Sequence, residues 1–117
     1  MLSHANRITR GADYKATVRR GARFTGANTV TYVRPGSDPD VVRFGFIVGK
    51  TVGIANRRNL VRRRLKAAAY ELLPQLPPGM DVVIRALPAS AHAEWATLHE
   101  EMSRSISRIT SRGNLRS

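Results

Sequence analysis

The sequence contains no cysteine. Disulfide staples, thiolate metal sites and cysteine nucleophiles are therefore excluded, and the chain suits a reducing compartment. No apolar run approaches the roughly 20 residues that a membrane-spanning helix needs. The opening stretch, residues 1–10 (MLSHANRITR), lacks the apolar segment of a secretory signal. These absences lead to the expectation of a soluble, cytoplasmic protein that needs no membrane. Acidic residues are the other scarcity. Asp and Glu total 8 against 20 Lys and Arg, a formal net charge of +12. No acid lies between Asp13 and Asp38, and none between Asp40 and Glu71. The second gap holds Arg43, Lys50, Arg57, Arg58, Arg62, Arg63, Arg64 and Lys66.

What is present is enough for one domain. The chain has 117 residues, 42% of them hydrophobic, which supports one modest core. No repeat or low-complexity segment interrupts it. So large a charge on so small a domain costs stability through self-repulsion, and a polyanionic partner is its usual explanation. Nucleic acid leads as that partner, with an anionic membrane surface second.

Breakers and periodicity divide the chain into elements. Residues 11–20 (GADYKATVRR) read as a short helix ended by Gly21, and Ala22–Thr25 as a short strand. Residues 28–34 (NTVTYVR) alternate as a strand. The turn-forming run 35–40 (PGSDPD) then joins them to a second strand, 41–48, in an expected antiparallel hairpin. A helix is expected over 57–73 with Asn56 as its cap. A strand follows at 80–86, and a helix after Pro88 with Ser90 as its cap. Trp95, Leu98, Met102, Ile106 and Ile109 form an apolar stripe on that last helix. The polar tail from Ser111 is expected to fray.

The helix over 57–73 has two chemically distinct faces. At about 100° per residue, Val61, Leu65, Ala68 and Leu72 share one side. Asn59, Arg62, Arg63 and Lys66 share the other. Arg58 flanks the cationic side, while Arg57 and Arg64 lie nearer the apolar one and can extend outward on their stems. Charged helix faces are usually solvated and mixed in sign. Here no acid stands one turn away from these cations. Arginine forks match phosphate oxygens, and a helix fixes their spacing. Nucleic-acid binding is the reading that follows.

Other candidates are weaker. Residues 45–51 (GFIVGKT) resemble a phosphate-binding loop, but are one residue short of its spacing and read as strand, so nucleotide hydrolysis is set aside. Lys50 and Gly53 instead shape a turn from strand to helix. His4, His92 and His99 are too scattered for a shared metal. Glu94, Glu100 and Glu101 are assigned to a solvent face, and Asp81 and Arg85 to a surface ion pair. No nucleophile–base pair stands out. Tyr14 and Tyr32 are each flanked by cations, Lys15, Arg19 and Arg20 for the first and Arg34 for the second. Aromatics beside basic side chains suit stacking of single-stranded bases, and core packing explains them equally well.

At residues 53–66 (GIANRRNLVRRRLK) the chain resembles the protein component of bacterial ribonuclease P, whose signature is a G-x-A-x-x-R-N-R-like box running into a basic helix. The strand 43–50 (RFGFIVGK), the run 76–85 (LPPGMDVVIR) with Pro88, and the opening Arg7-Ile8 and Ala12-Asp13-Tyr14 extend the likeness over about residues 5–109. Leu60 stands where the box has its second arginine. Val18 stands where the first helix has a second aromatic.

The resemblance implies an α+β fold. It would be a small two-layer sandwich in the order α-β-β-β-α-β-α, with a left-handed β-α-β crossover against the usual right-handed rule (ribosomal-protein-S5-domain-2-like). A single ribonuclease P protein domain would span residues 1–117, ordered over about 5–110. The resemblance also implies an accessory subunit without catalytic residues or a small-molecule substrate. Its partners would be the catalytic ribonuclease P RNA and precursor tRNA, with Mg2+ bound chiefly by the RNA. Tyr14, Lys15, Val18 and Tyr32 would line a cleft for the single-stranded 5′ leader. Arg57, Arg58, Asn59, Arg62, Arg63 and Lys66 would meet the RNA subunit.

Overall fold

A computed structural model describes residues 1–112. After a short N-terminal segment come α1 (Gly11–Arg20), β1 (Ala22–Thr25), β2 (Thr29–Pro35), β3 (Arg43–Ile47), α2 (Ala55–Leu72), β4 (Met80–Ala86) and α3 (Trp95–Arg112). Every expected element forms, in the expected order. α3 continues past the point where the tail was expected to fray, and the rest of that tail, residues 113–117, lies outside the described residues.

The four strands form one sheet in the order β1-β2-β4-β3. β1 and β2 pair as an antiparallel hairpin, β2 and β4 pair antiparallel, and β3 and β4 run parallel. The expected hairpin between β2 and β3 is therefore wrong, because β4 inserts between them. Val82, Val83 and Ile84 explain the insertion: they are apolar on both faces of the sheet and all but fully buried. Such a run belongs to a central strand rather than to an edge. The loop joining β2 to β3 is tied to the residue before β4, since Gly36 N–H donates to Gly79 O and Gly79 N–H donates to Val41 O. β3, α2 and β4 make the crossover between parallel neighbours. The outer edge of β3 is shielded by the N-terminal segment, where Ile8 N–H donates to Phe44 O at 2.8 Å.

Strand alternation separates two cores. Phe24, Val33, Phe44, Val82 and Ile84 face α2 and α3, meeting Val61, Leu65, Ala68 and Leu72 from α2 and Leu98, Met102, Ile106 and Ile109 from α3. Both helical stripes are buried as their periodicity requires, although Trp95 is only half-buried. On the opposite face Val30, Tyr32 and Val83 pack with Ile8, and Tyr14 and Val18 of α1 lie against them. The two-layer sandwich thus carries α1 as a partial cover on its second face.

Both expected helix caps are corrected. α2 begins two residues early, after Ile54, with no side-chain cap, and Asn56 lies inside its first turn. Gly53, at φ 148°, sets the helix start with a backbone few other residues adopt. Ser90 lies in a 3-10 turn over Pro88–His92, where its hydroxyl donates to Leu87 O. α2 ends where Pro74 enters the following 3-10 turn.

Candidate RNA interface

Two surfaces stand out, one on α2 and one between α1 and the sheet. On α2, burying Val61, Leu65, Ala68 and Leu72 forces the opposite side of the helix outward. Asn56, Asn59, Arg62, Arg63 and Lys66 then line one concave patch. Asn59 Oδ1 accepts a hydrogen bond from Arg62 Nη1 at 2.9 Å, which holds that guanidinium in place. Among the described residues none of Arg57, Arg58, Arg62, Arg63 and Lys66 forms an ion pair. Two acids of the helical layer have their contacts outside the patch. Glu71 lies 3.4 Å from His99 on α3, and Glu100 pairs with Arg104. The patch is thus an uncompensated cationic field on a rigid helix, the arrangement that binds phosphates.

The structure sorts the arginines of α2. Arg57 is exposed beside Gly53. Arg58 is half-buried, and its Nε is buried without a partner. Arg64 does not reach outward, since it donates from Nη1 to Ala93 O at 2.5 Å and anchors the approach to α3. Leu60, in place of the box's second arginine, is half-buried. Sequence reasoning missed one contributor. Arg7, whose guanidinium donates twice to Leu2 O, joins Arg63 and Lys66 along a second groove beside α2. No helical period marks Arg7, and only chain folding brings it there.

The second surface lies on the other face of the sheet. Tyr14, Lys15, Val18 and Arg19 of α1 form one wall of a groove, and Ile47 of β3 forms its floor. Tyr14 is fixed by two features of β3. Its hydroxyl accepts a hydrogen bond from Phe46 N–H at 3.2 Å, and its ring covers Gly45, where an added Cβ would stand 2.5 Å from Tyr14 Cε1. Tyr32 does not line the groove openly. It is 3% exposed, under an Arg85 guanidinium 5.7 Å from the ring centroid. Of the two readings of the tyrosines, core packing describes Tyr32, while Tyr14 is both packed and partly open.

A charge network fixes α1 over this groove and overturns one sequence reading. Asp81 is buried and accepts two hydrogen bonds from Arg43, so it forms no surface pair with Arg85. Arg34 lies 3.8 Å from both Asp81 and Asp13, and Arg43 lies 3.5 Å from Asp13, which links α1 to three strands. A second acid was also misplaced. Glu101 is buried under the β1–β2 hairpin, accepting from Asn28 and Thr29, whereas Glu94 and Glu100 are exposed as expected. The residues resembling a phosphate loop are strand β3 followed by a 3-10 turn over Lys50–Val52, which leaves no free backbone cradle. Among the described residues no helix is long and apolar enough to cross a membrane, and no three His, Asp or Glu side chains cluster to hold a metal ion.

An α+β sandwich with an uncompensated cationic helix face and an aromatic-walled groove defines a small RNA-binding protein. The chain matches the Ribonuclease P family over residues 2–110, and it belongs to that family. The ribonuclease P protein component of Clavibacter michiganensis is 50% identical over 92% of this chain and 96% of its own length. That of Mycolicibacterium paratuberculosis is 42% identical over 93% of this chain and 95% of its own. Among solved structures, the RNase P protein from Thermotoga maritima superposes with a TM-score of 0.78 at 21% identity, covering 87% of this chain and 96% of that one. A Staphylococcus aureus RNase P protein mutant gives 0.80 at 20% identity, covering 92% and 89%. These structural likenesses support the fold. The family makes the chain an accessory subunit of the tRNA-processing ribonucleoprotein ribonuclease P.

Proposed function

We propose that the protein acts in the cytoplasm as a bridge between two RNAs. The cationic face of α2, with Asn59, Arg62, Arg63 and Lys66 at its centre and Arg57 and Arg58 at its rim, docks on the catalytic RNA of ribonuclease P. The groove of Tyr14, Lys15 and Val18 holds the single-stranded 5′ leader of precursor tRNA, with Tyr32 as its buried support. The observation that carries this reading is the separation of the two surfaces. One is a cationic stripe that no acid among the described residues pairs with, and the other is an apolar groove edged by Lys15 and Arg19. Phosphates suit the first, and unpaired bases with their backbone suit the second.

Cleavage belongs, on this reading, to the RNA subunit, which also binds the Mg2+. The α2 patch offers cations and amides, whereas Mg2+ takes carboxylate and phosphate oxygens. The protein's part is to neutralise phosphate where two RNAs approach. That lowers their repulsion and the Mg2+ concentration required.

Reconstitution with a bacterial ribonuclease P RNA and a precursor tRNA at low Mg2+ tests the proposal. Stimulated release of the leader is expected. No stimulation across several such RNAs would sink it. Cleavage by the protein alone, surviving removal of all RNA, would point to a self-sufficient nuclease instead.

A further inference from the structure

Three large hydrophobic side chains are exposed among the described residues: Met1, Ile54 and Tyr70. Tyr70 is the aromatic one, half in water, in the last turns of α2. Its position is not arbitrary. Asn59, Arg63, Lys66 and Tyr70 follow one another at spacings of four, three and four residues. The buried stripe Val61, Leu65, Ala68 and Leu72 has the same spacings on the opposite side. Tyr70 therefore stands to the cationic stripe as Leu72 stands to the core stripe, at its far end. Helical side chains lean toward the helix N-terminus, which carries the ring back toward Lys66.

Among the described residues Tyr70 belongs to neither hydrophobic cluster. Its hydroxyl has no hydrogen-bond partner among the described residues. The neighbouring Glu71 lies 3.4 Å from His99 on α3, and among the described residues no acid pairs with Arg63 or Lys66 on the stripe that leads to the ring. We propose that Tyr70 is a stacking platform for an unpaired base of the ribonuclease P RNA. It would extend the α2 interface to a span of about 16 Å from Asn59, at about 1.5 Å per residue. This rests on the reading of α2 as the surface that docks on that RNA. Charge selects the occupant: the stripe leading to the ring is cationic without relief, so the backbone it guides is polyanionic. A base that has left its duplex presents the flat face that an aromatic ring covers.

Stacking and phosphate contacts differ in their salt dependence, because stacking releases no counterions. The test is the affinity of the full chain for ribonuclease P RNA across a salt series, for the wild type, Tyr70→Ala, Tyr70→Phe and Arg63→Ala. Tyr70→Ala is expected to weaken binding about tenfold at every salt concentration, with the slope of log affinity against log salt unchanged. Tyr70→Phe keeps the ring and is expected to bind within about twofold of the wild type. Arg63→Ala is expected to make the slope shallower. An exposed position tolerates these changes, and equal unfolding midpoints would verify that. If Tyr70→Ala binds like the wild type while Arg63→Ala is weakened, the stacking proposal fails and the α2 interface stands. If neither variant is weakened, the interface itself is wrong. If Tyr70→Ala keeps wild-type affinity for ribonuclease P RNA but loses affinity for leader-bearing precursor tRNA, measured in a parallel titration, the proposal is also overturned, since the base would then belong to the leader.

Discussion

Asp81, 1% exposed, accepts a hydrogen bond from Arg43 Nε at 2.9 Å on one oxygen and from Arg43 Nη2 at 2.8 Å on the other. Removing the carboxylate takes the buried partner from Arg43 and Arg34 and leaves only Asp13, at 3.5 and 3.8 Å, to meet them. Asp81→Ala is therefore expected to lower stability by about 3–5 kcal/mol, read from the urea unfolding midpoint. A loss under about 1 kcal/mol would mean that the pair holds little. The hydrogen bond to Asp81 raises the Arg43 pKa, with the charges of both carboxylates adding to it against the cost of burial. A raised base stabilises the fold fully below its ordinary pKa, and the gain fades only as pH climbs through the raised value. For an arginine that window is strongly alkaline, so the Arg43 contribution should be flat through neutral pH.

Gly45 makes room for Tyr14, which gives a way to disturb the groove without touching α2. An added Cβ would stand 2.5 Å from Tyr14 Cε1, inside the ring's own space. Gly45→Ala should push Tyr14 off β3 and break the hydrogen bond from Phe46 N–H. In the reconstituted enzyme the variant should lose most of its preference for leader-bearing tRNA over mature tRNA, and Tyr14→Ala should do the same. Equal losses on both substrates would make Tyr14 a core residue only.

These relationships also separate what local sequence carries from what it does not. The faces of α2 and α3 were legible because a helix repeats its burial every three or four residues, and the stripes of both are long. The family box at residues 53–66 carried the functional reading with them. Strand order was not legible. The turn at residues 35–40 says that the chain reverses, not that β4 will enter the gap. The unbroken apolar run Val82, Val83, Ile84 was the available signal for a central strand. Asp81 and Glu101 were misread for one shared reason. A charged residue is buried only if distant partners meet it, and Arg43 and the Asn28–Thr29 turn are 38 and 73 residues away. Asn56 has the chemistry of a cap, but the turn at Gly53 starts the helix before it.

Glu101 provides a stability test remote from both proposed RNA surfaces. Its carboxylate accepts from the Asn28 backbone and side chain, each at 3.1 Å, and from the Thr29 hydroxyl. Glu101→Ala leaves these donors unmet beneath the hairpin and should lower stability by about 1–3 kcal/mol. Glu101→Gln keeps an acceptor oxygen and should lose less. Neither change should alter RNA affinity at temperatures where the fold is intact. A Glu101→Ala unfolding midpoint equal to that of the wild type would show that water replaces the carboxylate without cost.

Arg62 and Arg63 are adjacent in sequence, yet both line the concave patch, with Asn59 orienting the first and the groove beside Arg7 reaching the second. If each meets one phosphate, replacing both releases about two fewer counterions on binding. The slope of log affinity against log salt should then become shallower by roughly 1.5, at about 0.7–0.9 per contact. The measurement is a titration of ribonuclease P RNA with Arg62→Ala/Arg63→Ala and with the wild type between low and physiological salt. Affinity should fall most at low salt, where phosphate contacts count most. Arg104→Ala serves as the control. That arginine is paired with Glu100 on the exposed face of α3, so its removal should leave the slope as it was. A double variant whose affinity drops with no change in slope would mean that Arg62 and Arg63 shape the helix surface without touching phosphate.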